Sequence, residues 1–365
     1  MKKEWQARPF EECIDSVSYP RKIQRKDFLE SGEYPIVSQE DVFINGYWND
    51  HGDVFRIKHP VVIFGDHTRV LKFIDFDFVV GADGVKILQP KEFLIPKFFY
   101  YHLLFSDVGS LGYSRHYRLL KELSIVLPPL SEQRRIVGIL DEAFAAIAAA
   151  RANTEKNLQN ARALFESHIH SVFTQRHKDW IEKPLGEVCE YLNGKAHEQC
   201  IDKDGRFIVI NSKFISSEGA VFKKSNEALL LLQPGDIAMV LSDVPNGKAL
   251  AKCFLVEEAN TYTLNQRICL IRSKKFHTKF LFYQLNRNKH FLAFDNGENQ
   301  TNMRLNQILE CPLFLPSITE QENIAARLDD LREETQHLEF IYQQKLDALE
   351  ALKKSLLNQA FTGEL

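Results

Sequence analysis

Between two apolar runs of the chain lies GDHTR, Gly65 to Arg69, and between two later ones lies SDVPNGK, Ser242 to Lys248. Both stretches are dense in groups that donate and accept hydrogen bonds. Arg69 and Lys248 have the reach to address guanine O6 and N7 or a phosphate, and Asn246 carries the paired amide that matches adenine. Asp66, His67, Thr68, Lys72, Ser242 and Asp243 complete these two sets. A second pair of stretches mixes cations with aromatic or amide groups. The first is YSRHYRLLK, 113 to 121, with Arg115, His116 and Arg118; the second is NGENQTNMRLNQ, 296 to 307, with Asn302 and Arg304. YTLNQR, 262 to 267, adds Asn265 and Arg267. Interleaved basic and stacking groups suit nucleic acid. The plain alternative is a set of solvated loops and helix edges.

Enzyme signatures are incomplete. NGK, at 193 to 195 and again at 246 to 248, lacks the earlier glycine and the following Ser/Thr of a phosphate loop. Asp75 and Asp77 share one face of a strand, but the DGVK that follows, Asp83 to Lys86, does not have a metal-nuclease spacing. His168 and His170 are two apart on a predicted helix and cannot converge on one ion. No Gly-rich turn opens a dinucleotide fold. The residues therefore call for no metal and no cofactor.

The 365 residues, 44% of them hydrophobic, suffice for two domains with real cores. Six cysteines form no CxxC pair, which suggests neither a zinc ribbon nor a secreted disulfide framework and fits a reducing cytoplasm. No stretch reads as a signal peptide or a membrane span. The formal net charge of −3 argues against a purely electrostatic DNA binder, yet the acidity is concentrated in the final helix.

The elements that must position these loops occur twice. WQARPFEECID, from Trp5, resembles WIEKPLGEVCE, from Trp180, and PKFFYYHL, from Pro96, resembles TKFLFYQL, from Thr278. Residues 127 to 174 match 315 to 362 without a gap, with 13 identities in 48 positions. That block opens on LPPLSEQ and LPSITEQ. The prolines end a strand, Ser131 and Thr319 can cap a helix, and Glu132 and Glu320 suit its first turn. Each predicted helix, about 65 Å long at 1.5 Å per residue, is too long for a domain core. An apolar stripe through Ile136, Leu140, Ile147 and Leu164 matches one through Ile324, Leu328, Leu331, Leu338, Leu349 and Leu352, as in a coiled coil that turns polar midway. The regions before each helix read as mixed α/β. The expected organisation is a first domain at 1–130, a helix at 131–174, a second domain at 175–318 and a helix at 319–365.

Two variable α/β regions, each followed by a helix with EQ at its start, together with FGDHTR…GADGVK and SDVPNGKALAKCFLV…LNQRICLIR, resemble the specificity subunit of type I restriction-modification systems. The likeness spans essentially the whole chain. It implies two target-recognition domains, each reading half of a split site on double-stranded DNA. It also implies an antiparallel coiled coil that relates them as a pseudo-twofold repeat, sets their separation and docks modification subunits, expected to number two. Methyl transfer and cleavage would then belong to the methyltransferase and restriction/translocase partners, leaving this chain non-catalytic, cytoplasmic and without a membrane role. Two other readings remain open on the residues alone. One is a nuclease or methyltransferase acting by itself through Asp75, Asp77 and Asp83; the other is a coiled-coil scaffold without a DNA role. Arg134 and Arg135 depart from the second copy, at a helix start that disfavours cations; they are expected either to meet phosphate or a partner acid or to be a tolerated mismatch.

Overall fold

The computed structural model describes every residue except 1–4, 83, 107, 110, 111, 113, 175–178 and 246. Contacts divide the chain into two compact units, Met1–Asn157 with Ile341–Leu365, and Leu158–Phe340. Each unit takes part of both long helices.

In the first unit the strand Val61–Gly65 is buried along its whole length, and the reason is two-sided packing. Val62 and Phe64 face a core shared with the helix Pro96–Phe105, while Val61 and Ile63 face a core shared with Val37, Phe78 and Val80. A continuous apolar run is what a strand between two layers requires. Its sheet is antiparallel, in the order Ile14–Asp15, Val85–Pro90, Val61–Gly65, Leu71–Ile74. The other layer holds Gly46–Trp48, Tyr34–Val37, Phe78–Val80 and Val54–Phe55, with Tyr34–Val37 and Phe78–Val80 parallel. FDFVVGADGVKIL is thus two strands in two sheets. Gly81 marks the crossing, where a Cβ would lie 2.9 Å from Ile36, Phe28 and Ser38.

The second unit repeats this plan. Ile237 and Met239 face the helix Thr278–Leu285, and Ala238 and Val240 face the other layer. Strands Glu190–Asn193, Ile268–Arg272, Ile237–Val240 and Cys253–Leu255 form the equivalent sheet, and Phe207–Ile210 runs parallel to Tyr262–Leu264. Each unit also pairs its first strand with the one that leads into a long helix: Gln6–Pro9 with Ser124–Leu127, and Ile181–Pro184 with Pro312–Leu315.

The long helices are Leu130–Thr174 and Ile318–Thr362. Their expected caps are displaced. Ser131 and Thr319 lie inside the first turn, and Ser317 Oγ accepts the Glu320 N–H at 3.3 Å in the second helix. What the repeated EQ provides is a buried anchor. Gln133 accepts the Ile95 N–H at 2.8 Å and donates to the carbonyls of Phe93 and Pro128, both at 3.0 Å. Gln321 does the same with the His277 N–H and the Pro316 carbonyl. Glu320 has a different task, accepting the Trp180 indole N–H at 3.0 Å. Arg135 is held by Glu132 and donates to the Leu365 carbonyl, so its acid comes from its own helix.

Within each unit the two helix segments run antiparallel. Arg151 meets Glu350 at 3.7 Å in the first and Arg162 meets Glu339 at 2.9 Å in the second. Ile136, Leu140 and Leu328 are buried, and Ile147, Ile324, Leu331 and Leu349 are half-buried. The regular heptad frame fails further along: Leu164, Leu338 and Leu352 are 67%, 42% and 47% exposed. Past the buried Thr154 and Thr335 the covered face continues through Leu158 and Glu339, a second successive four-residue step, and then through Phe165 and Leu346. An α-helix of 3.6 residues per turn drifts off a strict seven-residue repeat, and such a stutter restores the seam. Both threonine hydroxyls donate back to the carbonyl four residues earlier, which satisfies them without a partner.

Two outcomes follow from these anchors. Gln133→Ala leaves the Ile95 N–H buried and unpaired, so urea denaturation should show a loss of about 2 kcal/mol or more. The second concerns His102, whose Nε2 accepts the Val126 N–H at 3.1 Å where the second unit uses the Gln284 amide on Phe314. Burial lowers the His102 pKa to about 4, so it is neutral in the fold. Its contribution is complete above the unfolded value near 6.5 and is lost as pH falls from there to about 4, up to about 3 kcal/mol. His102→Gln should keep the Val126 bond and flatten that acid dependence in denaturation curves taken across this range.

Candidate nucleic-acid interface

In the first unit the two predicted segments and the turn at Gly84 converge on Asp66. Its N–H donates to the Gly84 carbonyl at 2.7 Å, its own carbonyl accepts the His116 N–H at 2.7 Å, and its carboxylate accepts the Tyr117 N–H at 2.8 Å. The second unit has the same arrangement around Leu241, whose N–H donates to the Arg267 carbonyl at 3.0 Å and whose carbonyl accepts the Met303 N–H at 2.9 Å. Directly beyond it Ser242 and Asp243 pair with Asn302 and Thr301. Loops far apart in sequence therefore form one edge in each unit.

The two hairpins behind these edges also correspond. Arg69 N–H donates to Gly65 and Ala251 N–H donates to Val240, and both residues lie in the left-handed region, at φ of 62° and 56°. Arg69 thus matches Ala251, not Lys248. Lys248 belongs to a longer loop that only the second unit has. Asp243 organises that loop: its carboxylate accepts the N–H groups of Val244, Ala249 and Leu250 at 2.9, 2.6 and 3.1 Å. A Cβ on Gly247 would lie 2.1 Å from the same carboxylate, so only glycine allows this approach.

The predicted contact residues divide accordingly. Asp66, Lys72 and His116 are 3%, 4% and 1% exposed and serve the scaffold, which corrects their placement on the surface. Lys72 has its ammonium among protein oxygens, and burial lowers its pKa. Ser242 is buried, Asp243 holds its loop, and Asn265 is half-buried with its side-chain oxygen near the Arg267 N–H. His67 is half-buried, its backbone N–H on Gln39. Thr68, Arg69, Arg115 and Arg118 are exposed on the first unit, and Lys248, Arg267, Asn302 and Arg304 on the second. Each unit thus exposes three of the predicted cations. Asn246, Tyr113 and Asp83 lie outside the described residues. Asp77 accepts the Ile57 N–H and pairs with Arg56 at 3.1 Å, while Asp75 is exposed. Among the described residues no group of His, Cys, Asp and Glu is arranged to hold a metal.

Sequence reasoning missed Gln39. Its side chain reaches the His67 N–H and its carbonyl accepts the Thr68 hydroxyl at 2.5 Å, so it joins the first edge. It has no counterpart in the repeat that would have marked it. Also missed were two clamps, Lys97 and Tyr101 on Asp141, and Lys279 and Tyr283 on Asp329, which bolt each short helix to a long one. These polar identities were visible in the aligned halves.

The model of the type I restriction modification DNA specificity domain matches residues 2–159 and again 177–351. The chain belongs to this family. Among type I specificity subunits, that of the EcoR124I/EcoR124II restriction enzyme of Escherichia coli is 25% identical over 338 residues, 84% of this chain and 81% of the relative. That of MjaVIII from Methanocaldococcus jannaschii is 23% identical, covering 90% and 80%. A solved structure from work on complex assembly and conformational transition of the type I R-M system matches with a TM-score of 0.76 at 17% identity, over 99% and 98% of the chains. The HsdS subunit of Thermoanaerobacter tengcongensis matches at 0.52 and 18% identity, over 100% and 98%. The specificity domain thus occurs twice here, as two target-recognition domains, and the paired edges are its repeated feature.

The Asp243 loop is open to a direct test. Asp243→Ala removes the acceptor of three backbone N–H groups, a local loss of about 1–3 kcal/mol. Hydrogen exchange at Val244, Ala249 and Leu250 should quicken about 10- to 100-fold, with amides of the first unit unchanged.

Proposed function

We propose that this chain is the non-catalytic DNA-reading subunit of a type I complex, each unit reading one half of a bipartite double-stranded site. One observation carries this reading: the same three-segment edge is built in both units from equivalent backbone bonds, yet it bears different exposed side chains. A scaffold without a DNA role gives no reason for edges that agree in backbone and differ in surface. Arg69, Arg115 and Arg118, with Lys248, Arg267 and Arg304, supply phosphate and guanine contacts, and the amide of Asn302 supplies a base contact. Asn246 retains the adenine role proposed for its amide.

The long helices set the distance between half-sites and carry two modification subunits, which supply methyl transfer; restriction/translocase subunits join that core. The chemistry then resides on the partners, and the complex works in the cytoplasm. Family membership supports this division, as does the use of Asp77 in structural bonds. Among the described residues no helix is long and apolar enough to cross a membrane.

Methylation of bipartite duplexes by the assembled complex tests the reading. Deleting 146 to 152 together with 334 to 340 removes one heptad from each helix and shortens the pair by about 10 Å. The preferred spacer should change while both half-sites stay the same. A folded variant with an unaltered spacer would show that the helices do not set the distance.

A further inference from the structure

Beside the first edge lies a loop, residues 38 to 45, of which only Gln39 has been given a place so far. A buried lysine holds it. The Lys72 ammonium donates to the carbonyls of Ser38 at 2.9 Å, Val42 at 2.5 Å and Phe43 at 3.5 Å, and to Asn45 Oδ1 at 3.2 Å. Asn45 closes the loop by accepting the Ser38 N–H at 2.9 Å and donating to Glu40. With its carbonyls committed, the loop turns outward the side chains of Val42, 64% exposed, and Phe43, 47% exposed. Phe43 rests edge-on against Phe76, with ring centroids 6.0 Å apart. Two adjacent large apolar side chains are thus held in water on a loop fixed from within, which presents them for an apolar contact.

The neighbouring residues indicate which one. Gln39 joins this loop to the predicted reading edge through His67 and Thr68, and Gly84 approaches so closely that a Cβ there would lie 2.6 Å from Gln39 Oε1. Asp41, exposed beside Val42, would be repelled by phosphates but can accept from a cytosine amine, which places the tip against base edges. Its fixed backbone and the Phe76 contact suit apolar contact in the major groove better than a wedge driven between base pairs. The second unit differs at this point. The sheet position of Lys72, opposite Ile63, is taken by Phe254, opposite Ala238, and Phe254 packs on Phe214 of a short helix where the first unit has the loop. The divergence falls where two units of different specificity should diverge.

We propose that Val42 and Phe43 contact a thymine methyl group in the half-site read by the first unit, and that Lys72 is the positioning residue for this tip. The proposal rests on the DNA-reading function above. The probe is a duplex carrying the bipartite site mapped by methylation, with the first-half thymines replaced singly by uracil, bound by the full chain with its modification subunits. One replacement should weaken binding about fourfold, the value of a buried methyl group. The V42S/F43S double variant, altered only at exposed positions, should lose that sensitivity and keep its response to the second half-site. Lys72→Met should relax first-half preference with the salt dependence of binding unchanged. If Lys72→Met fails to fold, V42S/F43S alone decides.

A parent complex indifferent to uracil throughout the first half-site would overturn the inference, as would a double variant that responds like the parent. A Lys72→Met complex that keeps its preference but loses about one unit of salt slope would make Lys72 a phosphate contact, and would overturn its positioning role. Failure of the parent to select any bipartite site would instead remove the proposed function itself.

Discussion

A buried glutamine at the start of each long helix ties three things together that otherwise have no common constraint. The Gln133 amide fixes the chain entering a short helix at Ile95, the strand exit at Pro128 and the first turn of its own helix. An amide serves here because it can accept and donate at once with no charge to desolvate. Gln321 repeats the solution at His277 and Pro316. The Asp141 and Asp329 clamps then fix each short helix two turns further along. Together they hold each recognition fold on its helical segments, and any reading by a distant edge requires that rigidity.

Above this common base the two edges vary freely. The hairpin turn needs one residue in the left-handed region, and the chain meets that need with Arg69 in one unit and Ala251 in the other. Neither is glycine, so the surrounding bonds must offset a small strain. The second unit inserts its longer loop just before this point, and Asp243 stabilises it from within. The first unit places its extra surface after the strand Tyr34–Val37, with Lys72 as the internal support. Loops that differ in length are thus held by internal polar groups of their own, Asp243 half-buried and Lys72 buried. The sheets beneath need not change.

Much of this architecture was legible because it repeats. The doubled helix and the mixed α/β region before each copy follow from identities such as Phe173-Thr174 with Phe361-Thr362 and from apolar runs bounded by turn residues, whereas the convergence of separate polar segments on one edge rests on backbone bonds that no local pattern shows. The coiled-coil seam was legible only to its midpoint, because a heptad count carries no sign of where a 3.6-residue helix must slip; Leu164 fits the count and is exposed, whereas Phe165 does not and is covered. Individual contact residues were least legible. Lys72 and His116 have the composition of a nucleic-acid surface, but their burial depends on carbonyl groups of Ser38, Val42 and Asp66, whose positions no local pattern encodes.

Charge gives the helices an asymmetry that their shared ancestry in sequence does not. Arg151 and Arg162 lie on the first helix, and Glu339 and Glu350, at the corresponding positions of the repeat, lie on the second. Because the pairing is antiparallel, a helix paired with another copy of itself would set Arg151 against Arg162, or Glu339 against Glu350. Each exposed pair contributes at most about 1 kcal/mol, and the Thr154 and Thr335 hydroxyls, bonded to their own helices, add no cross-helix specificity. The gain lies in the difference, since like charges replace opposite ones at both positions in the wrong pairing. Two helices similar enough to exchange partners are thereby biased toward each other.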